Sequence, residues 1–373
     1  MQPSLTARQQ TMSPFERMQE LAAAGVPFAV ATVIRTQGST PQVVGAKLIL
    51  TGRESERPFG TLGGGCVEAD AIDAARKVLA GEPASVREHQ LTEELAWDTG
   101  LVCGGTMWIL AEAGSGPAWP PAVDGIDPIA AAADAARGGP PVAFVSAFHR
   151  AGRTLRLDAR VLVQAGGRML GTLGSAGRDE RARDAAIEQM RHGTARLLPL
   201  DDAQELLVEP VTSRPQLVIA GGGHVSRAIA RQARLLDFDV AVIEDRPAFA
   251  EPERFDGATV LGGELIPNIA AFPYAALSYL VVATRGHKLD AACVAAAVRT
   301  RVPYIGLLGS RRKTILIADM LREQGVDESR IAAIHAPVGL DLGGRTPAEI
   351  ALSVLAEITQ LRYQGTGRPL RDR

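Results

Sequence analysis

Apolar residues along this chain fall in short runs separated by amphipathic stretches, a spacing that predicts alternating strands and helices. PFAVATVIR (27–35) and AKLILT (46–51) read as buried strands rich in β-branched residues. Ser13-Pro14-Phe15-Glu16 has the form of a capping box with proline at the first helical position, so a helix precedes the first strand. FGTLGGGC (59–66) runs into a predicted helix over 67–80, and the loop GLVCGG leads to a further strand, TMWILAE (106–112).

Beyond a Pro- and Gly-rich linker over 113–125 the same order returns. PVAFVSAFHR (141–150) echoes the first strand and ARVLVQ (159–164) the second. GTLGSAG (171–177) echoes GTLGGGC, and a charged helix follows in both places. The pattern is that of a duplicated βα module, with copies at about 14–112 and 126–210 packed as one N-terminal domain over 1–212. Gly177 stands where the second copy would carry the counterpart of Cys66, so any chemistry is expected in the first copy.

From Pro215 the pattern becomes strand–helix alternation. LVIA, DVAVIED, ATVLGG, YLVVAT, YIGLLG and AIHAP are strand candidates, and near-continuous apolar strands predict a parallel sheet covered on both faces. Thr346-Pro347-Ala348-Glu349 opens a closing helix of about four turns. The expected fold class is α/β: a Rossmann-type parallel sheet domain over 213–363, preceded by a mixed α/β domain with the duplicated module. A tail over 364–373 is expected to fray.

Composition narrows the function classes. A formal charge of -2 offers no general field for nucleic acid or an anionic membrane, so neither is an expected partner. No apolar run approaches the roughly 20 residues of a membrane span. The first residues lack the apolar stretch of a signal peptide. With three cysteines, an odd number, the chain fits a reducing cytoplasm.

The strongest local signal for chemistry is the turn Gly221-Gly222-Gly223 between a strand and a helix beginning near His224. Glycines let a phosphate approach the backbone, and the helix N-terminus supplies N–H donors and positive potential. Asp245 or Glu244, at the end of the next strand, is placed for a ribose hydroxyl. Ser226 occupies the third glycine position of the dinucleotide fingerprint, and a Rossmann scaffold without a dinucleotide is the plain alternative. Ser310-Arg311-Arg312-Lys313 opens another helix, where cations are unfavourable unless a ligand phosphate or an acidic partner is near; a solvated basic turn is the bland reading. His287 lies just past a strand end, the edge where such sheets bind ligands, and a plain loop histidine reads equally well.

In the first module Cys66 follows Gly63, Gly64 and Gly65 and precedes a helix, a setting that favours thiolate and leaves sulfur accessible. Cys103 sits in a comparable glycine loop. Small residues fitted into tight turns would look alike, but two such cysteines in one module favour a paired functional role. Cys293, in an alanine-rich helix, reads as core. No zinc-type cysteine pairs, Walker loop or nucleophile elbow appear.

TQGSTPQVVGAKLIL, FGTLGGGCVEAD, GLVCGG, AGGGHVSRAIA, VIEDRP, ATRGHKLD, YIGLLGSRRK and HAPVGLDLGGRTPAEIALSVLAEI together resemble the XdhC/CoxI accessory proteins of molybdenum hydroxylases. The resemblance implies a maturation factor, more a chaperone than a turnover enzyme. Such a factor binds the molybdenum cofactor (molybdopterin or its dinucleotide form), assists its sulfuration and passes it to a xanthine dehydrogenase-like apoenzyme. A cysteine desulfurase is the implied sulfur source, and a homo-oligomer is expected. By the same resemblance Gln37, Ser39 and Lys47 line the pterin pocket. Gly221, Gly223, His224, Asp245, His287, Ser310, Arg311 and Arg312 suit a phosphate or nucleotide. Cys66 and Cys103 suit molybdenum, with Cys66 a candidate ligand, or a transferred sulfur. The alternatives are an NAD(P)-dependent oxidoreductase using the Rossmann domain and, last, a nucleotide-hydrolysing maturation factor.

Overall fold

A computed structural model describes residues 12–53, 56–91, 104–116, 118–152 and 154–372. The chain divides into two compact units, residues 1–212 and 213–373. Among the described residues no helix is long and apolar enough to cross a membrane.

In the first unit, helix α1 (Pro14–Ala23) starts at Ser13, whose hydroxyl accepts the Glu16 N–H while the Glu16 carboxylate accepts the Ser13 N–H. Strands β1 (Phe28–Gln37), β2 (Lys47–Thr51) and β3 (Phe59–Gly60) are followed by α2 (Gly65–Leu79), β4 (Ser85–Gln90) and β5 (Thr106–Ala113). The sequence then repeats the set: α3 (Pro128–Ala136), β6 (Val142–Ala151), β7 (Thr154–Gln164), β8 (Met169–Leu170), α4 (Ala176–His192), β9 (Arg196–Pro199) and β10 (Gln204–Val211). The resulting sheets have matching orders, β3-β2-β1-β5-β4 and β8-β7-β6-β10-β9, and every pairing is antiparallel.

Alternation along each strand explains the layering. Ala29, Ala31, Val33, Met107 and Ile109 pack under Ala71, Ala75 and Val78 of α2, whereas Ala143, Val145, Val161 and Val208 pack under Ala182, Ala186 and Met190 of α4. The opposite faces meet each other: Val30 and Ile49 join Phe144 and Leu162, and Ile34, Trp108 and Leu110 join Phe148, Leu155 and Leu207. The layers are therefore helix, sheet, sheet, helix.

The second unit is a six-stranded parallel sheet: β11 (Gln216–Ala220), β12 (Asp239–Glu244), β13 (Thr259–Gly262), β14 (Ser278–Val282), β15 (Tyr304–Leu307) and β16 (Ile334–His335). Its order is β13-β12-β11-β14-β15-β16, the doubly wound order of a Rossmann fold. Helices α5 (His224–Leu235), α6 (Leu265–Ala271), α7 (His287–Ala297), α8 (Arg311–Glu323), α9 (Glu328–Ala332) and α10 (Pro347–Tyr363) cover it. α5 and α10 pack on one face, α6, α7, α8 and α9 on the other. Cys293 is fully buried, and burial, with the Asp290 and Asp245 charges, pushes its thiol up to about 12. Of the expected frayed tail, Gly365 is bonded to Gln360 and 370–372 form a 3-10 turn.

Candidate functional site

In the first unit the candidate edge is built from the loop between β1 and β2 and two glycine turns. Gly63, Gly64 and Gly65 all take positive φ (103°, 77° and 66°), a conformation that strains any residue with a side chain. The turn also closes on the loop, for a Cβ on Gly63 would come within 2.6 Å of the Pro41 Cβ. On the loop's other flank a Cβ on Gly105 would reach 2.7 Å from the Gln37 carbonyl oxygen. Residues 37–41 thus touch both glycine turns, with Gln37, Ser39 and Cys66 all exposed. Cys103 lies outside the described residues.

The turn is fastened by an acid that periodicity alone does not reveal. The Glu68 carboxylate accepts the Thr61 hydroxyl at 2.7 Å, the Leu62 N–H at 2.9 Å and the Gly64 N–H at 3.2 Å. Partial burial pushes the carboxyl up, but these bonds outweigh it and hold the group below its usual range. In the second copy the Asp179 carboxylate accepts the Thr172 hydroxyl at 2.8 Å and the Leu173 N–H at 2.6 Å. The shared spacing of threonine and acid is the signal that the sequence carries for this clasp.

What differs is the helix start. Ser175 caps α4, its hydroxyl accepting the Arg178 N–H. Gly64 occupies the matching position of α2 and leaves that helix without a side-chain cap, beside exposed Cys66. The first copy thus combines a helix start lacking a side-chain cap with an exposed thiol, and the second has neither.

Lys47 does not join this edge. It is buried between the sheets, where its ammonium donates to Glu209 at 2.6 Å and to the Thr32 hydroxyl at 3.1 Å. Arg160 makes the reverse connection, bidentate to Glu112 at 2.8 and 3.0 Å and bonded to the Ser146 hydroxyl at 2.8 Å. Each half thus lends a cation to the other half's acid, and the Lys47 ammonium is engaged between the sheets, away from exposed Gln37 and Ser39.

In the second unit the loops after β11 and β14 touch: a Cβ on Gly221 would fall 3.1 Å from the Thr284 Cα. Both following helices begin at an uncapped glycine and then a histidine, Gly223-His224 for α5 and Gly286-His287 for α7, with neither histidine buried. These starts flank the point where the strand order reverses, which is where open parallel sheets bind ligands. The acids are already engaged. Glu244 accepts the Gly222 N–H and the Arg246 guanidinium at 2.8 and 2.9 Å. Burial pushes its carboxyl up, but the bonds from Arg246 and Gly222 bring it down to about 2. Asp245 is bidentate to Arg285 at 2.9 Å on both oxygens. Ser226 is buried in the first turn of α5, its hydroxyl without a hydrogen-bond partner.

Ser310 to Lys313 divide into two roles. Ser310 caps α8 by accepting the Lys313 N–H at 3.3 Å. The Lys313 ammonium turns inward, donating to the Leu308 carbonyl at 2.9 Å and pairing with fully buried Asp290. Asp290 also accepts the Thr284 N–H and hydroxyl, so it ties the loop after β14 to the one after β15. Arg311 and Arg312 remain exposed.

Among the described residues no three His, Cys, Asp or Glu side chains gather as a metal-holding set.

Comparison with known proteins follows this division. The model of the XdhC Rossmann domain matches residues 217–358, and that of the XdhC and CoxI family matches residues 21–89. YqeB, an uncharacterised Escherichia coli protein, is 32% identical over 243 residues, 61% of this chain and 44% of that protein. The chain therefore spans less than half the length of that relative. A Bacillus subtilis protein described as a probable component of xanthine dehydrogenase is 24% identical over 341 residues, 89% of this chain and 92% of its own. The crystal structure of a Bacillus halodurans protein described as a xanthine dehydrogenase shares the fold, with a TM-score of 0.64, 21% identity and coverage of 96% of this chain and 98% of that one.

Proposed function

Because this chain belongs to the XdhC and CoxI family, we propose that it is a maturation factor that carries the molybdenum cofactor as cargo to a xanthine dehydrogenase-like apoenzyme. The observation that carries this reading is the asymmetry between the two halves of the first unit. One half keeps an uncapped helix start and an exposed thiol, where the other has a serine cap and Gly177; the positive φ of Gly63 is common to both, Gly174 matching it at 94°. A pterin–dithiolene cofactor presents a soft metal and polar ring edges, so Cys66 would contact the metal and the 37–39 segment the pterin. In the second unit the glycine starts of α5 and α7 suit a phosphate, or the nucleotide of the dinucleotide form. Sulfuration is assisted while the cofactor is held, with a cysteine desulfurase in the cytoplasm supplying the sulfur.

A nicotinamide oxidoreductase would ask for a free acid after β12. Glu244 is committed to Gly222 and Arg246, and Asp245 to Arg285.

The test is to purify the full chain from a molybdate-fed host that makes the cofactor, then assay molybdenum and the fluorescent oxidised pterin. Stoichiometric pterin in the wild type, falling about tenfold or more in Cys66→Ala, is expected for loss of a metal–thiolate contact worth at least ~1.4 kcal/mol. Pterin-free wild-type protein that binds NAD(H) or NADP(H) tightly would overturn the reading.

A further inference from the structure

Arg311 and Arg312 open α8 where the helix dipole disfavours cations, yet among the described residues neither has a carboxylate partner. A phosphate would explain two arginines, but three observations point elsewhere. The start of α8 is already capped by Ser310, unlike the glycine starts of α5 and α7, so its N–H donors are less open to an anion. The third cation, Lys313, is turned away onto Asp290 and Leu308. Finally, one turn further along the same face stand Ile315 and Leu316, 64% and 45% exposed. Beyond them Arg322 closes onto Asp319 and Glu328, so the face ends in satisfied charges.

The exposed face therefore offers two cations unpaired among the described residues and two bare aliphatic side chains side by side. A phosphate would use the cations and leave the aliphatics in water; a protein surface uses both, as interface cores do. A two-fold contact with a second copy through this face would set arginine against arginine. We infer that the exposed face of α8 is a docking surface for an acidic, aliphatic-bearing patch on the client apoenzyme. This inference rests on the maturation role proposed above.

The experiment measures binding of the full-length cofactor-loaded protein to a purified, cofactor-free xanthine dehydrogenase-type apoenzyme, by biolayer interferometry at two salt concentrations. Ile315→Ser/Leu316→Ser and, separately, Arg311→Glu/Arg312→Glu should each weaken binding tenfold or more while pterin content stays at the wild-type level. Only the arginine pair should also flatten the salt dependence. Wild-type protein that loads pterin but does not bind the apoenzyme would overturn both the surface and the delivery step. Wild-type binding that neither double variant weakens would overturn the surface alone. Pterin lost from the arginine variant would make the face a phosphate site, and a wild-type dimer split by the Ile315/Leu316 variant would make it a self-contact. Either of those results overturns the inference.

Discussion

Glu244 shows how a residue placed for one task is taken up by another. At the end of β12 it stands where a ribose would be met, but its carboxylate closes on Gly222 and Arg246 instead. Its folded pKa, about 2, lies below the ordinary 4.5, so its stabilisation is present above about 4.5 and is lost as pH falls through about 2. The thermal midpoint of the full chain should therefore fall across that acid window, and fall less in Glu244→Gln. At neutral pH the same substitution should cost about 2 kcal/mol, the worth of a charged hydrogen bond. Identical acid profiles for the two proteins would refute this role. Gly63 is the counterpart in the first unit: φ of 103° and its approach to Pro41 leave no place for a Cβ. Gly63→Ala should cost about 1–3 kcal/mol and displace the 37–41 segment. Calorimetry reads the cost and pterin content the displacement; wild-type values in both would show that the turn has slack.

At the scale of elements, legibility follows burial in the second unit, while in the first the buried interior strand β10 (QELLVEPV) escapes because Glu205, Glu209 and Pro210 interrupt its apolar run. The strands of the parallel sheet are readable because both faces are covered, which leaves runs such as LVIA and YLVVAT. β4 (SVREHQ) and β9 (RLLP) are not, because they are edge strands, short or charged, and owe their existence to pairing with β5 and β10. The antiparallel character of both sheets in the first unit is equally hidden, since two modules of strand and helix read locally as βα units. The candidate site is legible where glycine forces the backbone, at 63–65 and 221–222. It is not legible where a side chain's partner is remote in sequence: Lys47 finds Glu209, and Lys313 finds Asp290. Three adjacent cations in SRRK look equivalent in the sequence, and only the fold separates the inward lysine from the outward arginines.

Over the first unit as a whole, the exchanged ion pairs are the feature that joins the halves. Both are almost dry, with side-chain exposures of 4% and 7% for Lys47–Glu209 and 2% and 2% for Arg160–Glu112. Losing one partner strands a buried charge, so Lys47→Met should cost about 3–5 kcal/mol, whereas Lys47→Met/Glu209→Leu should recover most of it. Urea unfolding of the full chain reads this as a double-mutant cycle, and additive costs would show the pair to be uncoupled. Thr32 and Ser146, each holding the cation of its own half, repeat the exchange down to the hydroxyl. Such reciprocity is what a two-fold contact between identical protomers produces, because one surface must complement itself. Identical protomers are bound by that symmetry everywhere, so a change that improves one pocket is copied into the other. Here one polypeptide carries both halves, and the constraint is confined to the interior. Its ion pairs stay matched while the rims diverge: Gly64 and Cys66 open one, and Ser175 and Gly177 close the other. On the function proposed above, the first unit would combine the rigidity of a symmetric pair with one cofactor site rather than two.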